Sequence, residues 1–536
     1  GNDMPVAIYY NKDLDDSESY TRYTMAAYLD MDKGTLGAGL DGIASGKDDI
    51  FSEFSVYSGG SDDTFLINDQ ISLSEYDIST GVEQVICNWM DCGLAGAYVL
   101  YAVKCGNGNI FCLYNDGDMT GASDHVIAGF VEKTDIVDDR PVVRVADCFE
   151  NSGLQQAILK MNRENEKYRV EYVSYYRQND ATDEKLKYDI IAGNAPDVII
   201  LYDPGMDINN YIAKGFLEDL TPYIEKDSVL NEDYFLDGFL DAIRTDGKIY
   251  FLGNTFRIET LVGKKSELSE YENEWTMDAF MEYYKSKPEG TDIFSTTTKE
   301  EVCYTLIAQN MSRFIDWNTG RCTFDGEEFR KILEFCNGLE NGEMDESSEY
   351  NDMSDHIKPI KEGKLLFQKA LITSIQYIQP YQTVFGNDEM YIGYPSDSNN
   401  GTYLTMLEDM VGIFASSEHK NEAWDFIKAL FESEYIKNSY DSSISSSKEG
   451  FEKHFQKQSG YDQYTIFGGI SVSPARKEDA EAVKELVKKS TYRYYIFEQY
   501  EIIEEDINSY FAGEKGLDET VKIIQDRMDK YVNENR

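Results

Sequence analysis

The side chains able to do chemistry are unevenly supplied. The 536-residue sequence holds 99 Asp and Glu against 50 Lys and Arg, with four His and eight Cys. A Ser-His-Asp hydrolase needs a histidine placed beside its nucleophile. His125, His356, His419 and His454 all stand in polar runs such as Asp124-His125 and Glu418-His419-Lys420, where surface histidines are expected. The motifs GxSxG, HExxH and GxxxxGK followed by Ser or Thr do not occur; Gly46-Lys47 precedes Asp48 and lacks the earlier glycine. Cys87, Cys92, Cys105, Cys112, Cys148, Cys303, Cys322 and Cys336 form no CxxC, and the histidines complete no zinc spacing. Cys87/Cys92 and Cys105/Cys112 are the nearest disulfide candidates, with buried free thiols as the alternative. Asp30-Met31-Asp32-Lys33-Gly34 has part of a calcium-loop spacing but lacks the third acidic position and the distal Glu, and reads as a solvated acidic turn. Carboxyl pairs about 5–9 Å apart, as glycosidases use, would arise by accident among so many acids. Hydrolysis is therefore an alternative, and the expectation is a protein that is not an enzyme and needs no cofactor or metal.

What remains is binding chemistry. Saccharides offer hydroxyls to carboxylates, amides and guanidinium groups, and C–H faces to aromatic rings. The chain carries 40 Tyr but only 4 Trp. Trp275 and Trp424 sit in amphipathic helical patterns and read as core, Trp89 falls in a β-rich region, and Trp317 precedes an Asn318-Thr319-Gly320 turn that suggests a surface hairpin. A tyrosine-rich binding site is expected, although tyrosine richness alone more often serves core and surface packing. The net charge of −49 disfavours nucleic acid and acidic lipid surfaces and mostly keeps the chain in solution. No stretch approaches the roughly 20 apolar residues that span a bilayer. The opening Gly1-Asn2-Asp3 is expected to follow a removed export segment.

Two kinds of element would position these groups. Up to about residue 140 the pattern is antiparallel β. Residues 71–77 alternate, Ser79-Thr80-Gly81 turns the chain and 82–89 return; a second hairpin joins 109–114 to 126–131. The phrase from Tyr76 to Gly81 is similar to the hairpins of β-propeller blades. The region is too short to close a ring of about four 40-residue blades, so a small antiparallel domain of blade-like units is expected. From Arg140 the pattern becomes strand, helix, strand, helix, strand: 141–146, a helix capped by Asn151 or Ser152, 168–173, a helix ending at Gly193-Asn194, and 197–201. Short connections imply a parallel sheet, whose carboxyl ends, here 147–151 and 202–207, are where such sheets bind ligands. Amphipathic helices follow at 275–284, 328–339, 421–431, 478–488 and 518–531.

Four stretches in the right order carry a family likeness. Gly193-Asn194-Ala195-Pro196-Asp197-Val198 runs on to Gly215-Phe216-Leu217-Glu218-Asp219-Leu220-Thr221-Pro222. Trp275-Thr276-Met277-Asp278-Ala279-Phe280 comes next, then 412–428 ending in Ala423-Trp424-Asp425-Phe426-Ile427-Lys428. Tyr510-Phe511-Ala512-Gly513 leads into a last helix through Gln525. On these residues the segment from Pro141 onward resembles family 1 extracellular solute-binding proteins, the group that includes maltose-binding protein. It departs from them at Phe251-Leu252-Gly253-Asn254, where the family often has Leu-Pro, and in its N-terminal β region.

The resemblance implies an α/β, two-lobed periplasmic-binding-protein-like fold with hinges, preceded by the small antiparallel β domain of residues 1–140. Lobe 1 would comprise 141–253 and about 403–455, and lobe 2 254–402 and about 456–536. It further implies a monomer on the cell surface of a Gram-positive bacterium, tethered by a lipid on a cysteine upstream of residue 1. Such a protein binds a sugar or oligosaccharide and hands it to an ABC transporter permease. Matching the family's cleft-facing segments gives Glu150, Asn151, Asp203 and Met206 from the first lobe and Thr255, Phe256 and Arg257 near the hinge. Tyr304, Thr373 and Tyr377 come from the second lobe, and Glu408 precedes the return strand. A surface scaffold whose β domain contacts a partner is the second reading, and glycoside hydrolysis the third.

Overall fold

The structure, a computed structural model, describes residues 6–12, 22–30, 33, 35–39, 55–61, 64–77, 79–115, 126–132, 138–148, 151–175, 182–201, 206, 208–272, 274–295, 298–317, 319–339, 353–396, 401–406, 410–433, 436, 443–465, 469–493 and 497–535. The chain forms two compact units, Gly1–Ile200 with Ser416–Asn438, and Leu201–Ala415 with Ser439–Arg536.

The first unit opens with three antiparallel sheets in succession. Strands β1 (Val6–Lys12), β2 (Arg22–Asp30) and β3 (Thr35–Gly39) make one; β4 (Ser55–Ser58), β5 (Thr64–Asn68), β6 (Ser72–Asp77) and β7 (Val82–Asn88) the next; β8 (Val99–Lys104), β9 (Ile110–Asn115) and β10 (Val126–Val131) the third. Both hairpins expected from alternation are present. Asp77 Oδ1 accepts from the Ser79 and Thr80 amides, and Gly81, at φ +68°, closes the first. The second and third sheets share a core of Leu66, Leu73, Trp89, Val99, Ala102, Ile110 and Cys112. Alternation along β9 sends Ile110 and Cys112 into that core and Phe111 and Leu113 to the other face. There Phe111 stands opposite Phe130, which is 62% exposed, and Leu113 opposite Ala128. The third sheet thus shows an apolar outer face.

The α/β part of this unit follows the expected order. β11 (Val142–Asp147) lies between β12 (Arg169–Ser174) and β13 (Val198–Leu201), parallel to both. β13, Val-Ile-Ile-Leu, is buried throughout, as a strand covered on both faces must be. Helix α1 (Ser152–Glu164) is capped by Asn151, whose side chain accepts from the Leu154 amide at 3.1 Å, and buries Leu154, Ala157 and Ile158. Helix α2 (Thr182–Ile191) ends as expected at Gly193, φ +76°, with the Asn194 amide on the Asp189 carbonyl. Along α2 Leu186 is buried, whereas Ile191 is 80% exposed. One residue per turn is enough to anchor so short a helix. The helix Lys420–Glu432 completes the unit, burying Trp424, Phe426 and Ile427, and Ser417 donates to Asp197 at the head of β13 at 2.6 Å.

The second unit is built on strand β14 (Leu252–Gly253), antiparallel to Met410–Ile413, and on the long strand β15 (Thr255–Lys264). β15 pairs antiparallel with Gln368–Ile372, Ile444–Ser445, Tyr403–Thr405 and Glu389–Tyr391. Helices form at Met277–Lys285, Glu327–Asn337, Lys477–Lys489 and Leu517–Asn535, close to the expected spans. Trp275 is core as expected, edge-on to Phe280 and Tyr283 and donating to the Gly393 carbonyl at 3.0 Å. Trp317 flanks the hairpin Ile315–Asp316/Arg321–Cys322, as its turn residues suggest. Asp506, fully buried, is held by Lys515 and, at 2.7 Å, by Arg527.

Gly401 is a position that only glycine can fill. Its φ is +61°, and a Cβ would stand 1.8 Å from the Tyr394 carbonyl oxygen, across a turn in which the Tyr394 amide donates to the Gly401 carbonyl at 2.7 Å. Gly401→Ala combines left-handed strain with a backbone clash and is expected to cost at least ~2 kcal/mol. Urea unfolding measures it, and an unchanged midpoint would refute the clash.

Candidate functional site

In the second unit the first half of β15 carries the chemistry. Phe256, Ile258 and Thr260 are buried on one face, while Thr255, Arg257 and Glu259 lie half-buried on the other. A polar residue at every second position of a strand marks one face that meets solvent or ligand. Arg257 pairs with Thr405, and the antiparallel register Ile258 to Ile372, continued by one residue, puts Thr373 level with it on the opposite side. Arg257 has no hydrogen bond or ion-pair partner among the described residues.

One pair further along, Glu259 forms an ion pair with Arg493, whose amide donates to the Leu404 carbonyl at 3.0 Å. The two side chains are only 23% and 17% exposed. Burial works against the Arg493 charge, but the Glu259 carboxylate and the hydroxyls of Tyr394 and Tyr304 outweigh it and hold the guanidinium above its ordinary value. Burial likewise pushes the Tyr394 and Tyr500 hydroxyls up. Tyr304 stands edge-on to Tyr500 at 4.6 Å. Arg493 Nε is buried with no partner among the described residues. Cation, carboxylate, hydroxyls and aromatic edges thus share one patch, the set of groups that saccharides engage.

In the first unit polar atoms collect at the carboxyl ends of β11 and β12. Asp147, fully buried, accepts from the Tyr172 hydroxyl at 2.8 Å and the Asn151 amide at 2.9 Å, and its carbonyl accepts from the Tyr175 amide at 2.7 Å. Ser174 Oγ and, in the first turn of α1, Gln155 Oε1 are buried without a partner among the described residues. A hydroxyl left unpaired in a buried place costs stability unless something else bonds to it.

Of the eleven residues expected to bind ligand, Thr255, Arg257, Thr373 and Tyr304 fall on or beside the β15 patch. Asn151 is spent on capping α1. Phe256 belongs to the core, 5.7 Å from Phe239. It is one residue out of phase with the polar stripe, so its ring points away. Met206 is buried before the helix Ile208–Ala213. Tyr377 sits in the 3-10 turn Ile375–Ile378, its amide on the Ser374 carbonyl. Glu150, Asp203 and Glu408 lie outside the described residues, as do positions 31, 32 and 34 of the acidic turn.

Glu259, Arg493, Asp147 and Tyr172 were not singled out by sequence. The alternation Thr255, Arg257, Glu259 could have found the first. Nothing local announces Arg493, whose partner is 234 positions away. The histidine expectation also needs correction: His356 and His454 are buried, bonded to Gln368 and Gln458. Their neighbours in sequence are polar, but each ring is turned inward to a glutamine. Among the described residues no three His, Cys, Asp or Glu converge as a metal site, and no helix is long and apolar enough to cross a membrane.

Residues 156–446 match the family model described as bacterial extracellular solute-binding protein. A galactooligosaccharide-binding protein of Bacillus subtilis is 24% identical over 159 residues, 30% of this chain and 35% of that protein, so the chain spans about a third of the length of this curated relative. Solved structures similar to the chain include the sugar-binding protein MalE from Xanthomonas citri (18% identity, 73% of this chain and 98% of that one, TM-score 0.42). Another is a family 1 extracellular solute-binding protein from Alicyclobacillus acidocaldarius (14%, 74% and 100%, TM-score 0.43). A third is an ABC transporter associated binding protein from B. animalis subsp. lactis in complex with beta-1,6-galactobiose (17%, 74% and 98%, TM-score 0.36). The fold is α/β with an antiparallel β region ahead of it, and the chain belongs to the bacterial extracellular solute-binding protein family.

Proposed function

We propose that this chain is the extracytoplasmic solute-binding component of a bacterial ABC importer. It takes a neutral sugar or oligosaccharide, releases it unchanged, and hands it to a permease. The observation that carries this reading is Arg257: a half-buried guanidinium on the polar face of β15, flanked by Thr255, Glu259 and Thr405, with no protein partner among the described residues. Holding a cation partly out of water without a partner is unfavourable, and a ligand hydroxyl would supply the acceptor. Tyr304, Thr373, Glu259 and Arg493 of the same unit add donors, acceptors and ring edges. Glu150, Asp203 and Glu408 stay in the proposed site.

The proposed lobes are 141–253 with about 403–455 and 254–402 with about 456–536. These limits follow the family pattern; the compact units are divided at 200/201, 415/416 and 438/439. Closure of the lobes on the ligand would lower the observed affinity by its own cost. The protein is proposed to work as a monomer at the cell surface, held by an upstream lipid anchor.

A thermal-shift titration against mono- and oligosaccharides, with peptides and polyamines as controls, tests the reading. A ligand at 100 times its Kd adds about 2.7 kcal/mol, a shift of a few degrees for units of this size. Saturation with one sugar class and not with the controls is the expected result, and Arg257→Ala should weaken it about tenfold or more. A shift with peptides or amines alone would overturn the carbohydrate assignment. Silence across the panel would favour the scaffold reading, which has the apolar outer face of the third sheet on its side.

A further inference from the structure

Three of the eight cysteines gather where the second and third sheets pack together. Cys87, next to last in β7, stands opposite Leu73 just past a register shift. The chain then folds back: the Cys92 amide donates to the Asn88 and Trp89 carbonyls at 3.3 and 3.0 Å, and Gly93, at φ +77°, takes the chain out of the turn. Trp89 fixes the turn from below. It is fully buried, its amide on the Ile71 carbonyl at 2.9 Å and its indole on Asn68 Oδ1 at 2.8 Å. Cys92 is thereby returned to the residue next to Cys87, and the two thiols come close enough to shift each other's ionisation.

The other thiols are differently placed. Cys112 is buried, its thiol 3.7 Å from the Gly129 carbonyl. Cys112 pairs with Ala102, three residues before Cys105, a displacement of about 10 Å along the hairpin that rules out the Cys105–Cys112 bridge. Cys303 and Cys336 touch each other but are fully buried. Cys87 and Cys92 are half-buried, within reach of a reagent in solution.

We propose that Cys87 and Cys92 are an oxidation site of this protein, closing a disulfide over residues 87–92 by exchange with a low-molecular-weight disulfide or a thiol-disulfide oxidoreductase. The Cys87 thiolate attacks one sulfur of the external disulfide, expels the other as a thiolate and leaves a mixed disulfide. Cys92 loses its proton to solvent, attacks the Cys87 sulfur and expels the second thiolate. One external disulfide becomes two thiols, and the protein loses two hydrogen atoms. The order follows from the turn's unequal effect on the two thiols: the nearby Cys92 holds the Cys87 thiol below its ordinary value, while the nearby Cys87, together with burial, raises Cys92.

The test uses the whole chain, reduced and then equilibrated in glutathione buffers of increasing oxidised fraction, alkylated and digested with trypsin. No Lys or Arg lies between Lys47 and Lys104, so residues 48–104 leave as one peptide that holds Cys87 and Cys92 and no other cysteine. The expected peptide lacks two hydrogens and takes no alkyl group, and takes two after reduction. Double alkylation at every buffer composition would overturn the proposal, as would a cross-link to the peptide 105–133, which carries Cys105 and Cys112. In the single variants, Cys92→Ser should accumulate a glutathione adduct on Cys87, and Cys87→Ser should leave Cys92 largely free. Equal adducts in both would overturn the assigned order.

Discussion

Replacing Trp89 with alanine is expected to cost the paired sheets about 3–5 kcal/mol, the range for deleting a fully buried aromatic side chain. The small core makes that loss large. Leu66, Leu73, Val99, Ala102, Ile110 and Cys112 are the other buried members, and Trp89 is the biggest. It also links the second sheet to the segment leading into the third. Its indole donates to Asn68 Oδ1 at 2.8 Å, and Asn68 Nδ2 donates to the Gly96 carbonyl at 3.0 Å. Trp89→Phe keeps most of the packing and gives up that hydrogen bond, so it should cost only about 1–2 kcal/mol. Limited proteolysis within residues 55–132, followed against urea, reads the local stability. Equal losses in the two variants would mean that the hydrogen bond, and not the packing, holds the sheets.

The second large effect is expected at Arg493. Arg493→Met leaves the Glu259 carboxylate facing a poorly hydrated patch with its counter-ion gone, which typically costs about 3–5 kcal/mol. With 17% and 23% of the two side chains still exposed, the lower end applies, about 3 kcal/mol. The pair Arg493→Met with Glu259→Gln removes both charges, and most of the stability should return. Ligand affinity should not return with it, because the double variant has lost a donor and a charged acceptor from the proposed site. The cycle therefore separates folding from binding. Recovery of both in the double variant would show that the ion pair is purely structural and would remove Arg493 and Glu259 from the site.

Local pattern made much of this molecule legible. The hairpin at Asp77–Val82 is written in turn residues, β13 in an unbroken apolar run, and α1 in its Asn151 cap and helical spacing, each decided by neighbours within a few positions. The candidate site was legible only where it follows one strand. Thr255, Phe256 and Arg257 were named together because a sequence segment does not show which face a residue takes, and the structure turns Phe256 into the core. The burial of His356 and His454 was hidden for a related reason. Their polar neighbours signal a surface, while Gln368, which meets His356, arrives on a strand twelve positions later. Arg493 and Glu259 meet only after more than two hundred residues have been placed between them. Pairings of that kind are fixed by topology, on which periodicity is silent.

The chain passes between its compact units at three places, so neither unit is a continuous stretch. This sets a timetable for synthesis. The first unit's sheets and β11–β13 are complete as sequence by residue 201, but the unit's last segment begins at Ser416. At about 5–20 residues per second the intervening chain takes roughly 10–40 s to appear. For that interval Asp197 lacks Ser417, and the helix Lys420–Glu432 that brings Trp424, Phe426 and Ile427 is absent. The early chain therefore waits with apolar surface uncovered. Any factor that delays its collapse during synthesis, or that keeps it unfolded for passage across a membrane, has a window measured in tens of seconds in which to bind.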